Sequence, residues 1–215
     1  MMIAEHRSSQ KGMQGRAATQ AGEQAADTDE DAQLMRAVAT GDQRAFQALV
    51  HRHLAATVRL ATRVLGSDSA ADDVAQEAFL RVWRHAARFE DPSARGARFT
   101  TWLYRIVVNL CIDEKRKRTF GTIDDIPEPV DTGGTPEDAL HRDEDRARVR
   151  GALDQLPARQ KTAFVLCFYE EHSNKEAADI MGIGVKAVES LLVRARKGLR
   201  DILGGIAAQN DGDGK

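Results

Sequence analysis

The segment 119–148 constrains this chain more than any other. It holds Pro127, Pro129 and Pro136, three of the five prolines in 215 residues, together with Gly133-Gly134. Between 121 and 148 there are 9 Asp/Glu against 3 Lys/Arg. Prolines, paired glycines and like charge at this density interrupt helices and oppose burial in a core. The segment therefore predicts an acidic flexible linker, and the chain must fold on either side of it. The charge follows the same division, because residues 34–120 carry 15 Lys/Arg against 9 Asp/Glu and residues 149–203 carry 9 against 7. Two basic blocks flank an acidic one, although the whole chain has a formal charge of only −2. Fields act locally, so the segregation matters more than the total.

Both flanks read as helices. Leu34, Met35 and Val38 begin one that stops at Gly41, and Phe46, Leu49, Val50, Leu54, Val58, Ala61 and Leu65 mark a longer one ending at Gly66. Ser69 with Asp72 matches a capping box that opens a third, whose Ala75, Ala78, Phe79 and Val82 face inward. Its other side carries Asp72, Asp73, Gln76, Glu77 and an apolar Leu80, a mixture that suits a protein partner better than DNA. A fourth helix is expected from Phe99 to Arg118, with Phe99, Trp102, Leu103, Ile106, Val107 and Leu110 as its core stripe. Arg105, Asn109, Ile112 and Arg116 form a second line, and the helix ends in Lys115-Arg116-Lys117-Arg118. Such a cluster is compatible with plain solvation or with a complement to the helix dipole. Beside an Asn/Arg line and aromatics it also fits nucleic-acid contact.

After the linker, helices are expected at Val149 to Leu153 and, past Leu156-Pro157, from Ala158 to Phe168. Ser173 and Glu176 have capping-box spacing, Ala177 and Ile180 form a buried side, and Gly182-Ile183-Gly184 makes a break. Apolar residues then recur at 185, 188, 192, 195 and 199, one narrow helical stripe. Lys186, Glu189, Ser190, Val193, Lys197 and Arg200 lie opposite. Two helices around a glycine turn, the second presenting polar and basic residues, fit a helix-turn-helix whose free face matches a DNA major groove. A solvated surface helix would show a similar face.

The expected fold class is all-α: two small helical bundles joined by the acidic linker, the C-terminal one containing the helix-turn-helix. The boundaries are a disordered tail at 1–30, a first domain at 31–118, the linker at 119–148, a second domain at 149–204 and a flexible tail at 205–215. Cys111 and Cys167 lie in apolar helical patterns without Cys-x-x-Cys spacing, so they read as reduced thiols. His51 and His53 point to different sides of their helix, and no metal site is expected. Neither a phosphate-cradling glycine loop nor a justified Ser/His/Asp set is present, so no enzyme activity and no cofactor are expected. No apolar run approaches the roughly 20 residues that span a bilayer, and the N-terminus lacks a signal-peptide core. Those two readings lead to the expectation of a cytoplasmic protein.

Three blocks together resemble the extracytoplasmic-function sigma factors of bacterial RNA polymerase: 72–83 (DDVAQEAFLRVW), 99–109 (FTTWLYRIVVN) and 156–196. The resemblance covers nearly all of 31–203, and the blocks stand in the family's order. It implies that Asp72, Asp73, Gln76, Glu77 and Leu80 face the clamp helices of the polymerase beta-prime subunit. It implies that the second block and the loop before it recognise and open minus-10 promoter DNA. Arg105, Asn109 and Arg116 would contact the strand there, while Arg95, Arg98 and the cluster from Lys115 attract phosphate. The third block resembles a minus-35 reader. Lys186, Glu189, Ser190, Val193 and Arg194 would approach base edges, Glu189 accepting from cytosine and Arg194 donating to guanine. Lys161, Lys175, Arg196 and Lys197 would hold phosphates.

The same resemblance implies core RNA polymerase, promoter DNA and an anti-sigma factor as partners, and a role in a stress or envelope response. A flexible connector of about 30 residues spans about 30 Å. The family's two promoter elements lie more than one duplex turn, roughly 34 Å, apart, so the polymerase must hold the domains at the working separation. Two other readings predict different behaviour. A free-standing helix-turn-helix regulator would bind a symmetric site tightly without polymerase, and a helical adaptor would show no salt-dependent DNA affinity.

Overall fold

The computed structural model describes residues 30–89, 98–120 and 147–210, with side chains at 118–120 and 205–210 excepted. The expected N-terminal tail, the linker between 121 and 146, Arg95 and the last five residues fall outside them. Every regular element among the described residues is helical. In chain order they are α1 (30–39), α2 (Gln43–Leu65), α3 (Asp68–His85), a single 3-10 turn (Ala86–Arg88), α4 (Phe99–Phe120), α5 (147–154), α6 (Ala158–Phe168), α7 (Asn174–Met181) and α8 (Val185–Asn210). No described helix is long and apolar enough to cross a membrane. Among the described residues no cluster of His, Cys, Asp or Glu is placed to hold a metal.

Local chemistry sets the helix ends. Gly41 has φ +90, outside the range of ordinary L residues, and ends α1. Asp42 then caps α2, its Oδ1 accepting from the Arg44 and Ala45 amides at 2.8 and 3.2 Å. The entry to α3 differs from expectation. Ser67, not Ser69, is the cap, with its Oγ accepting from the Ala70 amide at 3.4 Å. Gly66 at φ +77 has already turned the chain, so Ser69 lies inside the first helical turn and the Ser69/Asp72 spacing is coincidental.

The buried face of α2 is also rotated from the expected stripe. Leu49, Ala61 and Leu65 of that stripe are buried as expected, but so are Ala45, His53, Thr57, Leu60 and Val64, whereas Leu54 is 42% exposed. A run of i, i+4 steps drifts around a 3.6-residue helix and carries two polar residues inward with it. Two further helices outrun their expected limits. α4 continues through Phe120, and α8 runs to Asn210, where a tail was expected from 205.

The chain forms two compact units. The first has described residues 30–52, 82–89 and 98–100; the second has His53–Arg81 and everything from Thr101 onward. In the first, Arg52 Nη1 donates to Asp31 at 2.9 Å and Nη2 lies 2.5 Å from Glu30. Phe46 meets Trp83 edge-on at 5.1 Å, and Phe89 meets Phe99 edge-on at 6.0 Å. In the second, Ala152, Leu153, Leu156, Ala195 and Leu199 form a core against which Phe164, Ile202 and Leu203 pack. Gly198 allows the close approach of α8 to this core, since a Cβ there would meet the Leu156 side chain at 2.9 Å.

The entry to α7 follows its sequence signature. Ser173 Oγ accepts from the Glu176 amide at 3.2 Å while the Glu176 carboxylate accepts from the Ser173 amide at 2.9 Å. Ser173→Ala removes half of this reciprocal cap, and the expected cost is about 1 kcal/mol. A lowered urea midpoint for Ser173→Ala, with Ser173→Asp close to wild type, is the result to look for.

Candidate nucleic-acid interface

The α7–α8 pair is built around one left-handed residue. Gly182 closes α7 at φ 64, ψ 35, and its amide and that of Ile183 both bond back to the Ala178 carbonyl. The chain turns through Gly184, whose carbonyl accepts from the Ala187 amide at 2.9 Å, and α8 starts at once. Val188, Leu192, Ala195 and Leu199 are buried, which fixes the rotation of α8 about its axis. Val185, expected on this stripe, is 39% exposed, because it belongs to the first turn and projects beyond the core.

Lys186, Glu189, Ser190, Val193, Arg194, Lys197 and Arg200 are all exposed on the far side, and Val193 reaches 64%. Ser190 Oγ donates to the Lys186 carbonyl at 2.9 Å, and Arg194 Nε donates to the Ser190 carbonyl at 3.2 Å. Arg194 is thereby held along the helix by one nitrogen. Its two terminal nitrogens extend further along the same guanidinium and can form a donor fork. Lys175 is exposed on α7, and the exposed Arg196 lies with its guanidinium carbon 5.0 Å from the centre of the Phe168 ring.

Lys161 does not belong to this surface. It is 1% exposed, and its Nζ donates to Asp154 Oδ1 at 2.5 Å. Its expected role as a phosphate contact is therefore corrected. The position was recognisable, since Lys161 stands four residues before the buried Val165 and so shares its face.

On α4, Arg105, Asn109 and Arg116 are exposed and Ile112 is half-buried, as one line along the helix. Arg116 lies 3.4 Å from Asp113, one turn back. Arg98 is exposed just before the helix. Lys115 departs from the line. It is half-buried, and burial together with the neighbouring Lys161 pushes its amine down to about 8, with Asp154 pulling the other way. On α3, Asp72, Asp73, Gln76 and Leu80 are exposed, Leu80 at 40%, while the half-buried Glu77 accepts from Arg81 Nε at 2.8 Å.

Within the second compact unit these surfaces meet. The Arg105 guanidinium lies against the helix-turn-helix turn, where a Cβ on Gly182 would come within 2.8 Å of Nη2. Asn109 and Arg116 line a cleft of about 390 Å³ that Arg159, Met181 and Ile183 close from the other side. Arg63 on α2 pairs with Glu170 and sits 5.2 Å above the Tyr169 ring. Tyr104 meets His172 edge-on at 5.7 Å. The His172 Nε2 is buried without a hydrogen-bond partner, and burial lowers its pKa against the opposing pull of Glu176 and Glu170. The basic line of α4 thus faces the turn between α7 and α8.

Two family models match the chain in order. Residues 49–120 match sigma-70 region 2, and residues 146–199 match sigma-70 region 4. The ECF RNA polymerase sigma factor SigE of Mycolicibacterium smegmatis is 35% identical over 77% of this chain, which spans 65% of that relative's length. SigW of Bacillus subtilis, also an ECF RNA polymerase sigma factor, is 33% identical over 77% of this chain and 92% of its own. Among solved structures, CnrH in complex with the cytosolic domain of CnrY superposes with a TM-score of 0.60 at 30% identity, covering 82% of this chain and 98% of that one. With both sigma-70 regions in order and a relative of this identity matched over almost its whole length, the chain belongs to the ECF group of RNA polymerase sigma factors, which direct the polymerase to promoters.

Proposed function

We propose that this sigma factor works as two promoter-reading domains, 31–118 and 149–204, carried at the two ends of the linker 119–148. The exposed α8 face behind the capped α7 turn carries this reading. Lys186, Glu189, Ser190, Val193 and Arg194 meet minus-35 base edges, with Lys175, Arg196 and Lys197 on phosphates. The α4 line of Arg105, Asn109 and Arg116, with Arg95, Arg98 and Lys115 as phosphate contacts, engages the minus-10 strand. Opening that strand costs about 1.4 kcal/mol per base step, so a helical module of this size works only on polymerase.

The acidic face of α3, centred on Leu80 and comprising Asp72, Asp73, Gln76 and Glu77, docks the beta-prime clamp helices. Exposed carboxylates around one apolar residue suit a basic partner groove and would repel DNA. The protein itself performs no chemistry and acts in the cytoplasm, in a stress or envelope response. CnrH is solved with a second protein, and we infer a comparable anti-sigma partner here.

Run-off transcription with purified core polymerase across a genomic promoter library tests the reading, which requires promoter-specific transcripts that neither component makes alone. Tight binding to a symmetric duplex without polymerase would overturn it. Leu80→Ala is expected to weaken core binding about tenfold, which is about 1.4 kcal/mol of lost apolar burial. Titration of labelled core with the variant checks this, and unchanged affinity would remove Leu80 from the contact.

A further inference from the structure

Within the second compact unit, the end of α2 and one side of α4 meet the short lip that joins α6 to α7. The Arg63 guanidinium, on α2, pairs with the Glu170 carboxylate and lies 5.2 Å from the centre of the Tyr169 ring. Tyr104, on α4, meets His172 edge-on at 5.7 Å. The lip is shaped before it makes these contacts. Its Tyr169 and Glu170 amides donate to the Val165 carbonyl and its His172 amide to the Leu166 carbonyl, at 3.0 to 3.1 Å, which ties it to the end of α6. Between them Glu171 stands at φ 57, a left-handed conformation that is unfavourable for a residue with a side chain. That reversal lets Glu170 reach α2 while His172 reaches α4.

We propose that this lip is a latch: the Arg63–Glu170 pair, seated on Tyr169, holds a closed form in which the Arg105, Asn109 and Arg116 line of α4 faces the helix-turn-helix, and its release frees that line for DNA. The proposal rests on the two-domain reading above, in which these surfaces part to reach separate promoter elements. Closure matters because of what it covers. The cleft of about 390 Å³ between Asn109 and Arg116 on one side and Arg159, Met181 and Ile183 on the other has room for a small molecule, not for a DNA strand. The α8 face stays exposed in the same form, so the latch acts on the α4 line alone.

The chemistry at the lip suits a contact made to part. An ion pair, a cation on a ring and an aromatic edge all tolerate water, and polar seams of this kind mark reversible association. When paired, the Glu170 side chain is 11% exposed and that of Arg63 38%; parted, both charges regain their hydration. Closure also carries a penalty, since the His172 Nε2 is buried without a hydrogen-bond partner and water can reach it once Tyr104 withdraws. The core of Ala152, Leu153, Leu156, Ala195 and Leu199 is built within the C-terminal helices themselves, so opening leaves it intact. One ion pair therefore decides between two forms that are each folded.

The test uses the full chain with donor and acceptor dyes at Ala55 and Gly204, both exposed, introduced through bio-orthogonal handles that leave Cys111 and Cys167 untouched. Single-molecule energy transfer counts the closed and open populations. Arg63→Glu sets two carboxylates face to face, and Glu170→Arg sets two guanidinium groups so; each is expected to lower the closed-to-open ratio roughly 10- to 100-fold. The two reversals combined restore an ion pair across the seam and should recover most of that ratio, short of the contact with the Tyr169 ring. Arg63→Gln serves as the milder variant should a reversal disturb folding, with a smaller shift in the same direction. Populations unchanged in the single variants, or a double variant no more closed than the singles, overturn the latch. Run-off transcription by the wild type separates the two ideas: transcription with populations that ignore these substitutions sinks only the latch, and responsive populations without transcription sink only the two-domain reading.

Discussion

Arg194→Ala is expected to lower initiation at the chain's own promoter roughly 10- to 100-fold while leaving affinity for core polymerase unchanged. A bidentate arginine–guanine contact discriminates by about 1–3 kcal/mol. Arg194 has the geometry for one, since Nε is satisfied by the Ser190 carbonyl and the terminal nitrogens lie beyond it. Its side chain is exposed and supports no core, so the substitution should alter stability by no more than about 0.5 kcal/mol. Run-off transcription on the parent promoter and on single-base variants of its minus-35 element gives the readout, together with a core-binding titration. Loss confined to promoters carrying the preferred base supports base reading. Equal loss on every promoter assigns Arg194 to phosphate, and parallel loss of core binding assigns the effect to folding.

The same assay separates Arg194 from Arg196. Although only two residues away, Arg196 points elsewhere on α8 and is held over the Phe168 ring. A cation fixed on an aromatic face is placed to act as a positioning charge. Its removal should weaken all promoters alike and reduce the salt slope by about one.

Much of this surface was legible because the signals that set it are local. The Ser173/Glu176 cap, the glycine break and the 188–192–195–199 stripe each depend on residues within a turn or two, and each appears where the spacing puts it. The α3 core of Ala75, Ala78, Phe79 and Val82 was equally readable. The misreadings arose where tertiary packing overrides local preference. On α2 a hydrophobic count favours Leu54, yet the drift of the buried face admits His53 and Thr57. At α3 two serines offer similar spacing, and only the left-handed Gly66 decides that Ser67 is the cap. The resemblance placed Lys161 on a phosphate, although its position in α6 is a core position. A lysine can occupy such a place only where the fold brings a carboxylate to it, and no pattern of apolar residues carries that information.

That carboxylate sets the largest stability effect expected. Asp154→Ala leaves the Lys161 ammonium 1% exposed and without its acceptor at 2.5 Å. Breaking a buried pair from one side costs about 3–5 kcal/mol. The Asp154 side chain is 34% exposed, so some water can take its place and the lower end applies. A loss of about 3 kcal/mol is a large share of the 5–15 kcal/mol that holds a typical domain together. Lys161→Met on top of Asp154→Ala removes the stranded charge and retains an unbranched apolar stem in the same space, and most of the loss should be recovered. Urea unfolding followed by far-UV circular dichroism on the single and double variants closes the cycle, with an expected coupling of at least about 2 kcal/mol. If the double variant is no more stable than Asp154→Ala, the cost lies in something other than the buried charge. The candidate would then be the space vacated beside Gly66, which the wild-type Asp154 carboxylate approaches so closely that a Cβ on Gly66 would lie 2.6 Å from Oδ1.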